Sequence, residues 1–152
     1  MIKKYNKDQR GHLLINLLVA FGVFTLLVTI SIPYLRKYQP NLKLNATARD
    51  LTTDLRLAQQ LTVTEQVIHS VTFDLVSDSY QILRSGVATT TIKEVSFDPE
   101  ISFQQVVDLT DNQVVFNYYG GVSESGQIYL INTEGNTAEI NIKPSGYISL
   151  GQ

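Results

Sequence analysis

The sequence predicts an α+β fold, with one long N-terminal helix whose first half suits a lipid bilayer and whose second half packs on antiparallel β-sheets. Three observations predict it. No charged residue occurs from Leu13 to Ile32. Leu44, Ala48, Leu51, Leu55, Ala58 and Thr62 recur at three- and four-residue spacing, the signature of a helix with one apolar stripe. From about Gln66 the period drops to two, and short strand-like runs alternate with turn residues, as in antiparallel sheets.

The first eleven residues carry Lys3, Lys4, Lys7 and Arg10 against Asp8 alone, and they end in Gly11. The apolar run then begins. At about 1.5 Å per residue it spans roughly 30 Å, the thickness of a bilayer core. It contains one amide (Asn16), three hydroxyls (Thr25, Thr29, Ser31) and one glycine, Gly22. The run is longer than the apolar part of a secretory signal, and it ends in Ser31-Ile32-Pro33-Tyr34 without a small-x-small cleavage site. It therefore reads as an anchor. Arg36, Lys37 and Lys43 follow it, and beyond Leu44 five basic residues stand against thirteen acidic ones. The basic leader predicts a cytoplasmic N-terminus, with the C-terminal domain outside. The acidity of that domain argues against bulk binding to nucleic acid or to anionic lipid, leaving only a local patch such as Arg49, Arg56 and Arg84.

After the apolar run the helical pattern continues to about Val63. Pro33 and Pro40 are expected to kink it or to break it briefly. The stripe from Leu44 to Thr62 should cover the sheets, with Asp50, Asp54, Arg56, Gln59 and Gln60 on other faces. In the first strand, Val67, His69, Val71, Phe73 and Leu75 share one face and Ile68, Ser70, Thr72 and Asp74 the other. Further strands are expected at 80–83, 91–97, 101–107, 113–118, 127–131, 138–142 and 147–150. Turn residues such as Asp78-Ser79, Ser85-Gly86, Gly120-Gly121, Gly135 and Gly146 separate them. The chain has no cysteine, which excludes disulfides, thiol catalysis and cysteine-held zinc.

The layout and the residues at the start resemble the type IV pilins and pseudopilins. In that family a short basic leader ends in a glycine, after which a prepilin peptidase cuts. Here the cut would follow Gly11 and leave His12 as the new N-terminus. A family proline stands twenty-two residues into the mature chain, which is Pro33 here. The family's usual Phe, Ser or Thr, and Glu at mature positions one, two and five are replaced by His12, Leu13 and Asn16. In the family that Glu is thought to neutralise a neighbouring subunit's N-terminal amine. Asn can still accept a hydrogen bond from an ammonium group. The run Ala48-Arg49-Asp50-Leu51-Thr52-Thr53-Asp54-Leu55-Arg56-Leu57-Ala58 resembles the minor pseudopilins of the GspH/FimT group, which read roughly A-x-x-L-x-x-x-L-R-x-A. Val71-Thr72-Phe73-Asp74, Tyr80-Gln81-Ile82 and the late strands fit that group's two-sheet pattern.

The resemblance implies a leader at 1–11, a membrane and filament-core helix at 12–34, the soluble half of the helix at 35–65, and a β domain at 66–152. It implies a structural subunit of a type IV pilus or a type II secretion-type pseudopilus. Gly11 and His12 would form the processing site, and Asn16, Gly22 and Pro33 the helix contacts. Its partners would be other pilin or pseudopilin subunits, a prepilin peptidase and a membrane assembly platform. The subunit would reside in the inner membrane and then in the pilus. No cofactor, metal or catalytic residue is expected. His69 reads as a satisfied, partly buried core histidine, and Asp74, Asp78 and Asp98 as solvated turn carboxylates. Gly121-Val122-Ser123-Glu124-Ser125 lacks the last glycine of a nucleophile elbow and reads as a loop. Tyr118-Tyr119 fits either a contact patch or the sheet core. An uncleaved, membrane-anchored binding or adhesion domain that never polymerises is the alternative reading. It would tolerate a foreign anchor in place of Leu13–Ile32, and a pilin would not.

Overall fold

The structure, a computed structural model, describes residues 9–151, with side chains described at 13–32 and 38–151. The chain divides into two compact units, one ending at Tyr38 and the other beginning at Gln39. Helix α1 runs Gln9–Glu65. Neither Pro33 nor Pro40 interrupts it, and the Pro40 side chain is buried. Of the expected kink or brief break at the prolines, the break does not occur.

The first unit is the N-terminal stretch of α1. Every residue from 13 to 32 is exposed there.

The second unit joins the rest of α1 to eight strands: β1 (His69–Asp74), β2 (Ser79–Ser85), β3 (Thr89–Ser96), β4 (Ile101–Val107), β5 (Gln113–Phe116), β6 (Gly126–Asn132), β7 (Thr137–Ile142) and β8 (Ile148–Leu150). They form two four-stranded sheets, in the orders β3-β2-β1-β5 and β4-β6-β7-β8. Every pairing is antiparallel. All the expected strands are present, with ends shifted by one or two residues. A three-residue 3-10 turn at Thr110–Asn112 precedes β5 and has no counterpart in the sequence pattern.

The helical stripe is buried as its spacing requires. Leu44, Ala48, Leu51, Leu55 and Ala58 join one core with Val71, Phe73, Tyr80 and Ile82 of the first sheet and Ile101, Ile128, Leu130 and Ile140 of the second. Thr62 closes the stripe. Its hydroxyl donates to Ala58 O at 2.9 Å and accepts from the His69 backbone N–H at 3.1 Å. Phe73, Phe103 and Phe97 form an aromatic chain, with ring centroids 5.7 and 4.7 Å apart, an arrangement that adds modestly to the area buried.

One residue departs from its expected place. Asp54 is not on a solvent face but 96% buried (4% exposed). At 3.6 residues per turn it lies roughly 60° from Leu51, at the edge of the stripe, where the first sheet covers it. Its charge is met there by Lys93 Nζ at 2.7 Å from both carboxylate oxygens and by the Tyr80 hydroxyl at 2.6 Å.

Candidate functional site

In the first unit, Leu13–Ile32 is long and apolar enough to cross a membrane. Its large side chains stand free, among them Leu14, Leu18, Phe21, Phe24, Leu27 and Ile30. Its hydroxyls are already satisfied within the helix. Thr25, Thr29 and Ser31 donate to the carbonyls of Phe21, Thr25 and Leu27 at 2.8, 2.8 and 2.9 Å. Internal satisfaction of this kind is what hydrocarbon demands of a polar group. A continuous apolar surface of this extent requires either lipid or other apolar helices around it.

The residues expected to work in this segment are placed as follows. Gly11 and His12 lie in the backbone of α1, and the side chains of His12 and Pro33 are outside the described residues. Asn16 is exposed. Gly22 has open space on its side, with nothing within 4 Å of a Cβ built there. At about 100° per residue, Gly22 and Pro33 fall on one face of the helix, roughly 20° apart, and Asn16 lies about 100–120° away from both.

The second unit is fastened to its stretch of helix by polar contacts that flank the stripe. Besides Asp54, Arg56 Nη2 donates to Ile148 O at 3.0 Å, and the Gln59 amide donates to Gly120 O at 2.6 Å and Gly146 O at 3.0 Å. Asn132 Nδ2 donates to Asn41 Oδ1 at 2.9 Å. Lys43 pairs with Asp98 at 3.1 Å and Glu100 at 2.9 Å. Burial, and then the bond to Asp54, push the Tyr80 hydroxyl far above the ordinary tyrosine range, so it stays a proton donor. The backbone N–H of Glu100, and then Lys43, hold Asp98 below the usual carboxylate range. Contacts from Glu100 and Asp98 raise Lys43. Both ends of that pair are thus charged at neutral pH.

The candidates for chemistry do not come together. His69 is fully buried at the junction of α1 and β1. Its Nδ1 lies 2.8 Å from Val67 O, and its Nε2, 3.8 Å from Glu65 Oε2, has no hydrogen-bond partner. Its burial is deeper than the expected partial burial, and its hydrogen bonding is half complete. Asp74 accepts from the N–H groups of Val76 and Ser77, and Asp78 accepts from Phe103 N at 2.8 Å. With Asp98 paired to Lys43, the three carboxylates serve three separate places, Asp74 its own turn and Asp78 the backbone of β4. Among the described residues no group of three His, Cys, Asp or Glu side chains is placed to hold a metal. Glu124 fastens the 3-10 turn, accepting from Thr110 N at 2.7 Å and from its hydroxyl at 2.9 Å, so the 121–125 loop is structural. Tyr118 and Tyr119 are both exposed, which resolves their two readings in favour of the surface. Sequence spacing gave no sign of the Gln59 clamp, because its partners are backbone carbonyls of remote turns.

No family model matches the chain, and no curated protein sequence matches it. Solved structures do. The chain is similar to the minor pseudopilin EpsH from the type 2 secretion system of Vibrio cholerae, with a TM-score of 0.63 at 9% identity, over 72% of this chain and 96% of that one. The type IV minor pilin FimU of Pseudomonas aeruginosa gives 0.59 at 16%, over 76% of this chain and 92% of that one. GspH of E. coli, solved in solution, gives 0.55 at 18%, over 73% and 89%. The chain therefore has the pilin-like fold of the GspH/FimT group.

Proposed function

We propose that this chain is a minor pilin or pseudopilin, a structural subunit that a prepilin peptidase processes after Gly11 and that assembles through the helix beginning at His12. The leader would be 1–11, the membrane and filament-core helix 12–34, its soluble continuation 35–65, and the β domain 66–152. The observation that carries the reading is the pairing of an apolar, wholly exposed Leu13–Ile32 segment with a soluble unit of minor-pseudopilin fold. Such a segment is stable in the inner membrane, with the β domain outside. It is equally stable among like helices, so a transfer from lipid to filament exchanges one apolar environment for another. Gly22 allows close helix approach on one face, and Pro33 shares that face. Asn16, on another face, can accept a hydrogen bond from a neighbour's terminal ammonium without the cost of a charge in lipid. The partners would be other pilin-like subunits, the peptidase and an assembly platform. The role is structural rather than enzymatic.

Exchange of 13–32 for an unrelated membrane span tests the assembly half of the proposal. The expected outcome is a chain that stays in the membrane fraction and disappears from the sheared filament fraction. Equal filament incorporation with the foreign span would favour the anchored, non-polymerising domain.

A further inference from the structure

The second unit carries an open cleft of about 710 Å³ between α1 and the turns that follow β5 and β7. Its base is closely cross-linked by hydrogen bonds. Gln59 ties the carbonyls of Gly120 and Gly146 together. Both glycines have positive φ, +82° and +78°, and a Cβ at Gly146 would overlap the Gly120 carbonyl and the Gln59 amide. Only glycine permits that approach. The Asn117 side chain accepts from Tyr119 N and Gly121 N, each at 3.0 Å, and Val122 N donates to Pro144 O at 3.2 Å. The two turns are thus locked to each other and to the helix.

On this fixed base stand two aromatic rings that the core does not use. Tyr119 is 96% exposed and Tyr147 is 58% exposed. Lys143 Nζ lies 5.5 Å from the Tyr147 ring centroid, which steadies that ring by a cation–π contact. Around the rings the lining mixes the polar Arg56, Gln60, Thr64 and Ser145 with the aliphatic Val63 and Ile148. Arg56 spends one nitrogen on Ile148 O and keeps further N–H donors.

We propose that this cleft binds an oligosaccharide of β-linked pyranose units. A pyranose presents flat C–H faces and a rim of hydroxyls. The faces match exposed tyrosine rings, which are apolar in body and polar at the tip. The hydroxyls match planar amide and guanidinium groups, which donate and accept in fixed directions. A peptide is disfavoured, because Val63 is the one exposed aliphatic side chain in the lining and apolar anchors are what peptide grooves bury. A polynucleotide is disfavoured because Arg56 is the single cation lining the cleft among the described residues. Among the described residues no carboxylate lines it, so they supply no acid pair of the kind glycoside hydrolysis needs, and the cleft holds the sugar without cleaving it. The inference rests on the second unit alone and stands or falls separately from the assembly reading.

The test is calorimetric titration of the full chain, in lipid nanodiscs free of glycoside detergent, with chitotetraose and with cellotetraose. Saturable binding of at least one is expected. Tyr147→Ala and Tyr119→Ala should each weaken it by about tenfold, the loss of a good stacking contact. Tyr118→Ala, outside the lining, should leave it unchanged. Both cleft rings are exposed, so an unchanged melting temperature will show that the variants fold. Absence of binding by both sugars overturns the proposal, as does binding indifferent to both tyrosines. So does a result in which neither sugar binds while the tyrosine variants lose co-purification with pilin-like subunits, which would make the cleft a protein contact.

Discussion

Asp54 shows how single polar residues hold the second unit together. Its carboxylate is buried at the margin of an apolar stripe, and Tyr80 and Lys93 supply the donors that such burial demands. Lys93 remains about half exposed, so the pair keeps some solvent and its net value is discounted accordingly. Tyr80→Phe should cost about 1.5–2 kcal/mol, the low end for a hydrogen bond to a charged group. Asp54→Ala should cost more, about 2–3 kcal/mol, because it also strands the tyrosine hydroxyl. Urea unfolding of both variants measures the difference, and equal costs would show that the stranded hydroxyl adds no penalty. Gly146 is the second such residue. Gly146→Ala combines a left-handed backbone with overlap on Gly120, and should lower stability by about 2–4 kcal/mol. Gly135→Ala shares the positive φ but has open space, so the same unfolding series should show a loss of only about 1–2 kcal/mol.

At the level of elements, the packed half of the helix and most strands were legible because their burial is periodic, whereas β3 is exposed at all but one position. The stripe from Leu44 to Thr62 follows the helical repeat, and β6 alternates buried and half-buried residues along its whole length. Leu51, fully buried among both sheets, is the sharpest test of that stripe. Leu51→Asp should destabilise the unit by at least about 4 kcal/mol, the cost of an unpaired charge in a core, and should leave no cooperative melting transition by circular dichroism. What periodicity does not carry is the pairing of remote groups. Asp54 lies one step off the stripe, and only the arrival of Lys93 and Tyr80 makes its burial tolerable. Gln59 finds two carbonyls in turns far along the chain. The 3-10 turn before β5 is short, and Glu124, fourteen residues away, holds it. Of the candidate site, the apolar span was plain in composition. The tyrosine cleft was not, since Tyr119 and Tyr147 meet only after β5 and β7 enter different sheets.

For the whole molecule, acid should be the natural destabiliser of the second unit. Asp74, Asp98 and Glu124 are held below the ordinary carboxylate range, first by the Ser77, Glu100 and Thr110 contacts respectively. A carboxyl depressed by folding stabilises the fold above its unfolded pKa, near 4. That stability drains away as pH falls through the lower folded values. The melting temperature should therefore be flat near neutrality and decline below about pH 4. The Asp74→Asn, Asp98→Asn, Glu124→Gln triple variant should show a shallower acid slope than the parent, and an identical slope would reject the assignment. The apolar span is insensitive to such titration, since Leu13–Ile32 carries no charge. Under the proposed function its fate depends instead on processing at Gly11 and His12. The measurement to make is the N-terminal mass of the chain after co-expression with a prepilin peptidase, beside a Gly11→Leu control. A mature species beginning at His12, absent from the control, is the result expected of a pilin-pathway subunit. An intact Met1 terminus in both would contradict it and leave an uncleaved anchor in its place.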